Sequence, residues 1–257
     1  MVTADPLLEV HDLAKRFAGV RAVDGVSYSV GRGRVHAIIG PNGAGKTTLF
    51  NLITGFESPT AGEVRFDGRP VTGLPPHRLA ALGVGRTFQT PRICADLTAL
   101  ENVMLGAHLR LRRNPLAAMF RIGAVARGDR ALRDKAAELL ALVGIAGSGH
   151  VPGRAMAYGD LKRLEIARAL AAGPRLLCLD EPAAGLNPRE TRDLDGLIRR
   201  IADSGVTVLL VEHDMRLVMS LSQHILVLNY GRKIAEGAPD EVDRHPEVLA
   251  AYLGARV

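Results

Sequence analysis

Apolar residues occur at alternate positions near the start of the chain, a period typical of β-strands, and this period recurs further along. Strands are predicted over residues 8–13, 26–30, 34–39, 63–66, 175–179, 206–211, 225–229 and 233–236. Turns are predicted at the dipeptides Ala18-Gly19, Asp24-Gly25 and Tyr230-Gly231. The run at 34–39 is mostly apolar, which favours a strand buried on both faces.

Between these strands, apolar residues three and four positions apart predict helices. Helices are expected over residues 46–54, 97–111, 129–143, 161–172 and 215–222, with one more that begins at Pro188. Thr98 and Glu101 form a capping box, Asn187 and Glu190 cap the helix at 188, and Gly55 is the expected C-cap of the first helix. The helix at 129–143 is expected to pack through an apolar stripe of Leu132, Ala136, Leu139, Leu140 and Val143.

The alternation of strands and helices predicts an α/β fold, with a mostly parallel sheet flanked by helices and an antiparallel β subdomain. Residues 90–158 interrupt this alternation with helical periods. We therefore expect one domain over residues 1–257, with an α/β core at 1–89 and 159–257 and an inserted helical subdomain at 90–158.

Composition narrows the classes of protein. No apolar run approaches the roughly 20 residues that span a bilayer, and the start of the chain lacks the basic flank of a signal peptide, so a cytoplasmic location is expected. Cys94 and Cys178 show no metal-ligand spacing, which favours a reducing compartment. The net charge is +6, but only 4% of residues are aromatic and none is Trp, so nucleic acid is not an expected partner.

Much of the positive charge is local. Between residues 108 and 135 the chain carries Arg110, Arg112, Arg113, Arg121, Arg127, Arg130 and Arg133. A solvated helical face is the favoured interpretation of this basic insertion. The alternative is a surface close to lipid headgroups or to an acidic partner.

A phosphate-binding loop follows the apolar strand at 34–39. Its residues are Gly40, Pro41, Asn42, Gly43, Ala44, Gly45, Lys46 and Thr47, and Thr48 comes next. The glycines let backbone N–H groups turn toward phosphate oxygens, Lys46 is expected to reach the β- and γ-phosphates, and the Thr47 hydroxyl to bind Mg²⁺. The alternative is a turn without a ligand. The loop alone does not distinguish a kinase, a GTPase, a motor and a transporter ATPase.

Polar residues follow two of the other predicted strands. Asp180 and Glu181 come after the strand at 175–179, and His213 follows the strand at 206–211. Asp180 is expected to hold Mg²⁺, and Glu181 to orient and deprotonate the attacking water. His213 is expected to bind the γ-phosphate and hold that water, because strand ends line the ligand crevice in such sheets. The alternatives are a capping role for the carboxylates and a structural role for His213.

The ordered set of motifs resembles the ATP-binding cassette (ABC) family of transporter ATPases, over essentially the whole chain. The motifs are Phe17, the phosphate loop, Gln89, Tyr158-Gly159-Asp160, Asp180-Glu181, Gly185-Leu186-Asn187 and His213. The resemblance implies a P-loop NTPase core that binds and hydrolyses ATP with Mg²⁺. It also implies that Phe17 stacks on adenine, and that Gln89 contacts Mg²⁺ and water and senses the membrane partner.

The family signature is Leu-Ser-Gly-Gly-Gln, and the matching stretch is interpreted as residues 157–161. Gly159 keeps the glycine whose N–H approaches a γ-phosphate, and Tyr158 keeps a hydroxyl, but Leu161 cannot form hydrogen bonds in place of the glutamine. In the family the signature acts across a dimer. The resemblance therefore implies a homo- or heterodimer in which Gly159 of one subunit closes on ATP held by Lys46 of the other.

Several stretches, among them the ending at 245–254, resemble more narrowly the LivG-type ATPases of branched-chain amino-acid importers. This implies a second ABC ATPase subunit, two transmembrane permeases and, indirectly, an extracytoplasmic solute-binding protein. It also implies a peripheral location at the cytoplasmic face of the cell membrane. ATPases of urea, amide or lipopolysaccharide systems, a non-transport ABC ATPase and, last, a small-molecule kinase remain as alternatives.

Overall fold

The computed structural model describes residues 6–107 and 122–253, without the side chains of residues 122–127 and 253. The strands in these ranges are β1 (Pro6–Phe17), β2 (Val20–Gly31), β3 (Val35–Ile39), β4 (Ala61–Phe66), β5 (Arg69–Pro70), β6 (Val84–Arg86), β7 (Leu176–Asp180), β8 (Thr207–Val211), β9 (His224–Asn229) and β10 (Arg232–Gly237). The helices are α1 (Lys46–Ile53), α2 (Pro76–Leu82), α3 (Ala99–Gly106), α4 (Ile122–Leu142), α5 (Tyr158–Ala171), α6 (Pro188–Asp203), α7 (Met215–Leu221), α8 (Pro239–Asp243) and α9 (Pro246–Leu253).

The strands form two sheets. The first has the order β2-β1-β4-β5 and is antiparallel throughout. The second has the order β10-β9-β3-β8-β7-β6, and every neighbouring pair in it except β10 and β9 is parallel. The predicted fold class, a mostly parallel sheet flanked by helices with an antiparallel β part, is confirmed.

The central strands of the parallel sheet are buried on both faces, as the apolar run at 34–39 predicts. Ile38 packs on one face, in a cluster that includes α1 and the antiparallel sheet. Ala37 and Ile39 pack on the other face, in a cluster that includes helices α3 to α7. Since burial of apolar area stabilises each face, the C-terminal end of β3 is held firmly where the phosphate loop begins.

Helices α3, α4 and α5 pack against one another. The stripe on α4 is confirmed as its packing face, because Ala136, Leu139 and Leu140 are buried in the core cluster. Helix α3 begins with the predicted capping box but ends at Gly106, and residues 108–121, with most of the basic insertion, lie outside the described residues. The subdomain boundaries at 90 and 158 stay a prediction.

The prediction of a turn at Asp24-Gly25 is wrong. These residues form a bulge inside β2, where the register with β1 shifts and Gly25 has φ 69°. The Asp24 N–H donates to the Gly231 carbonyl at 2.8 Å, and its carboxylate accepts from Arg232 at 2.7 Å. Gly231 in turn donates to the carbonyl of Ala44 at 3.0 Å, so the bulge connects β2 to the phosphate loop through the β9–β10 turn.

Sequence periodicity missed five short elements: α2, β5, β6, α8 and α9. Three of them begin at a proline, namely Pro76, Pro239 and Pro246. Proline suits the first position of a helix because the missing N–H would have no partner there, and this signal was available in the sequence. The missed helices are five to eight residues long, too short for a 3.6-residue period to stand out. In the described ranges, no helix is long and apolar enough to cross a membrane.

Candidate active site

The phosphate loop leaves β3 with a backbone that only glycine fits. Gly40, Gly43 and Gly45 have φ angles of 152°, 78° and 97°. A Cβ at Gly40 would lie 2.2 Å from the Leu228 carbonyl oxygen, and one at Gly45 would lie 2.3 Å from that of Ala22. Close contacts and left-handed angles together explain why the loop needs these glycines, and they shape a cradle for an anion at the start of α1.

A cavity of about 390 Å³ opens over this loop. It is lined by residues 42–48, by residues 20–22 at the start of β2, by Glu181 and by Tyr230. Phe17 pairs with Val20 across the β1–β2 turn and is 42% exposed. An exposed ring thus stands next to the cavity wall, where a role in stacking on adenine stays a prediction for Phe17.

Tyr230 is a cavity residue that the sequence analysis assigned only to a turn. Its side chain is 86% exposed, and its φ of 46° is rare for an aromatic residue. The turn is held against the loop by the hydrogen bond from Gly231 to Ala44. Sequence pattern alone gives no signal for this contact, because it joins residues nearly two hundred positions apart.

The Lys46 ammonium lies over the loop. Its Nζ donates to the carbonyl oxygens of Gly40 at 2.7 Å and Pro41 at 3.0 Å, and the residue is 8% exposed. Burial lowers the pKa of Lys46, while the charge of Glu181 acts in the opposite direction. The ammonium therefore lies at the site where the phosphates are predicted.

Asp180 ends β7 in a buried position, and its partner is a residue that the sequence analysis did not assign. The Asp180 Oδ2 atom accepts a hydrogen bond from Arg86 Nη2 at 2.9 Å, and Arg86 Nη1 donates to Thr54 Oγ1 at 2.5 Å. Three aromatic rings lie 4.7 to 5.0 Å from the guanidinium carbon, those of Phe50, Phe56 and Phe88. Arg86 thus holds Asp180 through a charge-assisted hydrogen bond. It stands three positions before Gln89 in the sequence.

We expect Arg86→Lys to lower the free energy of unfolding by about 1–2 kcal/mol, since lysine cannot bind Asp180 and Thr54 together or lie flat on the rings. Urea denaturation followed by circular dichroism measures this change. Arg65→Lys is the matched control, because Arg65 pairs with Glu63 in an exposed position. Equal losses in the two variants would contradict the role given to Arg86.

The three residues predicted to be catalytic lie together. Gln89 Nε2 donates to Glu181 Oε2 at 2.8 Å, and His213 Nδ1 lies 3.8 Å from the same oxygen. Glu181 has φ 43°, a left-handed conformation that costs free energy in a residue with a side chain. Strain of this kind at a carboxylate beside the phosphate loop supports the assignment of Glu181 as the base.

The residues predicted to bind Mg²⁺ offer the donors this ion prefers. Thr47 supplies a hydroxyl, Asp180 a carboxylate and Gln89 an amide, and Mg²⁺ commonly combines one or two carboxylates with substrate phosphates. Asp180 is the last residue of β7, Gln89 follows the paired strand β6, and Thr47 lies in the first turn of α1 beside the cavity. The donor set and its place beside the phosphate cradle fit a nucleotide-bound Mg²⁺. The described residues contain no group of three or more His, Cys, Asp or Glu suited to a metal ion.

The signature residues form the first turn of α5, three residues earlier than the apolar period predicts. Ala157 is the N-cap and offers no side-chain cap, so the first N–H groups of the helix face outward from its end. The hydroxyl of Tyr158 donates to the Gln89 carbonyl at 3.4 Å. A Cβ at Gly185 would lie 2.9 Å from a ring carbon of Tyr158. A Cβ at Gly159 would lie 2.8 Å from Glu190 Oε1, the end of a flexible side chain that can shift.

Leu161 lies behind this turn and its N–H donates to the carbonyl of Ala157. Asp160 is the acidic residue of the first turn, so it places a negative charge at this end of the helix. Gly159 and Asp160 are not among the residues that line the cavity over the phosphate loop of the same chain. A role of the signature across a dimer stays a prediction.

We expect Asp160→Asn to lower the ATP concentration needed for dimerisation by about two- to fivefold, because it removes a negative charge from the helix end predicted to meet a phosphate. Light scattering during an ATP titration of a hydrolysis-deficient Glu181→Gln background measures this concentration. Asp240→Asn is the control, since Asp240 also lies in the first turn of an exposed helix. A higher required ATP concentration would instead show that the Asp160 carboxylate contributes to dimerisation.

The ABC transporter family model matches residues 23–184, which is more than half of the chain. A second model, described as the branched-chain amino acid ATP-binding cassette transporter, matches residues 232–257. The matched ranges contain the phosphate loop, the signature turn and Glu181 in the first case, and β10, α8 and α9 in the second.

Named relatives cover almost the whole chain. The high-affinity branched-chain amino acid transport ATP-binding protein BraF of Pseudomonas aeruginosa is 48% identical over 250 residues, which are 97% of this chain and 98% of the relative. LivG of Salmonella typhimurium, with the same description, is 42% identical over 252 residues, 98% of this chain and 99% of the relative.

Two solved structures have the same fold. The ADP conformation of an ATP-binding cassette of an ABC transporter aligns with a TM-score of 0.84 and 33% identity, covering 98% of this chain and 100% of that chain. A nucleotide-free ATP-binding cassette from an ABC transporter aligns with a TM-score of 0.82 and 32% identity, covering 96% of this chain and 98% of that chain.

Proposed function

The chain belongs to the ABC transporter family of ATP-binding cassettes, and from this premise we propose that it is the ATP-hydrolysing subunit of an importer for branched-chain amino acids. The substrate class rests on the similarity to two branched-chain amino acid transport ATP-binding proteins, which are 48% and 42% identical over nearly the whole chain. The match of residues 232–257 to a model of the same description supports it independently.

In the proposed reaction the loop amides and Lys46 hold the phosphates in the cavity over α1. Glu181 accepts a proton from the attacking water, while Gln89 and His213, both near its carboxylate, keep that water in line with the γ-phosphate. Thr47, Asp180 and Gln89 would hold Mg²⁺, which supplies charge neutralisation at the phosphates when bound.

The site is proposed to be complete only in a dimer. The outward N–H groups at the start of α5, with Tyr158 and Gly159, would meet the nucleotide bound to the phosphate loop of another subunit. Phe17 would cover the adenine of its own nucleotide. ATP then binds the closed dimer better than the open one, and hydrolysis removes that preference.

The proposed partners are a second ABC ATPase subunit, identical or different, and two transmembrane permeases. An extracytoplasmic solute-binding protein would act through the permeases without touching this chain. The protein would then work at the cytoplasmic face of the membrane, reached through its permeases.

Reconstitution tests this function directly. The chain is co-purified with the proposed permeases and second ATPase, placed in lipid vesicles, and assayed for ATP-dependent uptake of labelled leucine in the presence of the solute-binding protein. We expect uptake of leucine, isoleucine and valine, and loss of uptake with Glu181→Gln. ATP-dependent uptake of urea or an amide without uptake of leucine would overturn the substrate class and leave the transport ATPase in place.

A further inference from the structure

Three charged side chains are buried directly behind Glu181, outside the motifs with predicted roles. Lys162 and Glu165 lie on α5, and Glu212 follows β8, with exposed fractions of 4%, 2% and 0%. Buried charges are costly unless they form hydrogen bonds or pair with opposite charge. The bonds that these three residues make therefore indicate what they hold in place.

Lys162 holds the backbone of Glu181. Its Nζ donates to the Glu181 carbonyl oxygen at 2.9 Å, which also accepts the N–H of Ala184 at 3.1 Å. The Glu181 N–H donates to the Val211 carbonyl at 2.9 Å. A left-handed φ costs free energy in a residue with a side chain such as glutamate, so the conformation of Glu181 depends on these surrounding bonds.

Glu165 holds the segment that carries Gln89. Its Oε2 accepts the N–H of Phe88 at 3.2 Å, and its Oε1 accepts the N–H of Arg92 at 2.9 Å, one on each side of Gln89. Gln89 in turn donates to the carboxylate of Glu181. One helix, α5, thus binds both members of the hydrogen bond between Gln89 and Glu181.

Glu212 holds the backbone after Glu181 and at His213. Its Oε1 accepts the N–H of Ala183 at 2.8 Å, and its Oε2 accepts the N–H of His213 at 3.0 Å. The turn after Glu181 and the residue before Asp214 are therefore tied to one carboxylate. Of these three buried residues, only Lys162 and Glu165 lie on α5, the helix whose first turn carries the signature.

We propose that Lys162 and Glu165 are positioning residues for ATP hydrolysis, which transmit the position of α5 to Glu181 and Gln89 of the same subunit. This rests on the proposed function, in which the first turn of α5 meets the nucleotide of the partner subunit. Docking of α5 on the partner's nucleotide then aligns the base of its own site. The two sites of the dimer are coupled through the 2.9 Å contact between Lys162 and Glu181 and the two amide bonds of Glu165.

The test uses the full chain assembled with its partner subunits and compares steady-state ATP hydrolysis of Lys162→Met, Lys162→Arg and the wild type. We expect Lys162→Met to lower kcat about 10-fold or more with KM for ATP within about threefold, since misalignment of a base affects the chemical step more than binding. Lys162→Arg keeps a donor for the carbonyl and is expected to retain most of kcat. Lys135→Met, on an exposed position of α4, is the control.

Repeating Lys162→Met in a Glu181→Gln background separates positioning from general damage. If Lys162 acts through Glu181, the second substitution leaves the residual rate within about twofold, because the two changes are not additive. The same loss in both backgrounds, or a rise in KM in place of the fall in kcat, overturns the proposal.

Glu165→Gln gives a second route should Lys162→Met fail to fold. The amide keeps the size of the side chain but replaces one acceptor by a donor facing a backbone N–H, so kcat is expected to fall about fivefold or more at unchanged KM. Wild-type kinetics in Glu165→Gln overturns the role of α5. Absence of ATP hydrolysis in the wild-type assembly would instead refute the proposed function, and the two failures are thereby distinguished.

Discussion

Glu181→Gln is expected to bind ATP with nearly wild-type affinity and to hydrolyse it about 10²–10³ times more slowly, because a positioned general base contributes that much to the rate. The amide keeps the shape of the side chain and can still meet Gln89, which lies 2.8 Å from Oε2. With hydrolysis blocked, ATP keeps the dimer closed. Steady-state phosphate release measures the rate, and size-exclusion chromatography with ATP measures the dimer.

Glu138→Gln is the matched control for this prediction, since Glu138 is exposed on α4 and pairs there with the equally exposed Lys135. It is expected to leave turnover and dimerisation at wild-type levels. Wild-type turnover in Glu181→Gln would contradict its assignment as the base. His213, whose Nδ1 lies 3.8 Å from the same carboxylate, would then become the first candidate.

Lys46→Ala is expected to weaken ATP binding about 10- to 100-fold, the equivalent of losing charge-assisted contacts worth about 1.5–3 kcal/mol. The ammonium lies over the loop, within hydrogen-bond distance of the carbonyl oxygens of Gly40 and Pro41, where a bound phosphate is predicted. Isothermal titration calorimetry with ATP and Mg²⁺ measures the affinity.

Lys135→Ala serves as the control for Lys46→Ala, because its side chain is exposed and far from the cavity lining. Nucleotide affinity in the control is expected to equal that of the wild type. If Lys46→Ala also binds ATP as the wild type does, the interpretation of residues 40–47 as the phosphate cradle is wrong.

Local patterns predicted most of the regular structure. The buried strand before Gly40, the capping boxes at Thr98 and Asn187 and the hairpin around Tyr230 all depend on residues within a few positions of one another. The failures have the same origin. Asp24-Gly25 has the composition of a turn, and only its bonds to Gly231 and Arg232 make it a bulge inside β2.

The candidate site divides in the same way. Lys46, Asp180, Glu181 and His213 were predicted as site residues because each follows a predicted strand in a recognisable motif. Arg86 was not found, because its partners Thr54 and Asp180 are 32 and 94 positions away. A buried ion pair across that separation leaves no mark on any local period.

The sequence by itself therefore determined the ATP-binding cassette family and the order of its motifs, and it predicted the phosphate cradle, because glycine geometry, strand period and motif spacing are local properties. Only the tertiary structure decided how Glu181 is held. Its left-handed backbone, its hydrogen bond from Gln89 and the contact from Lys162 join three separate segments. Those contacts form only once the sheet and α5 have packed, so no local pattern in the sequence predicts the residues that support the site.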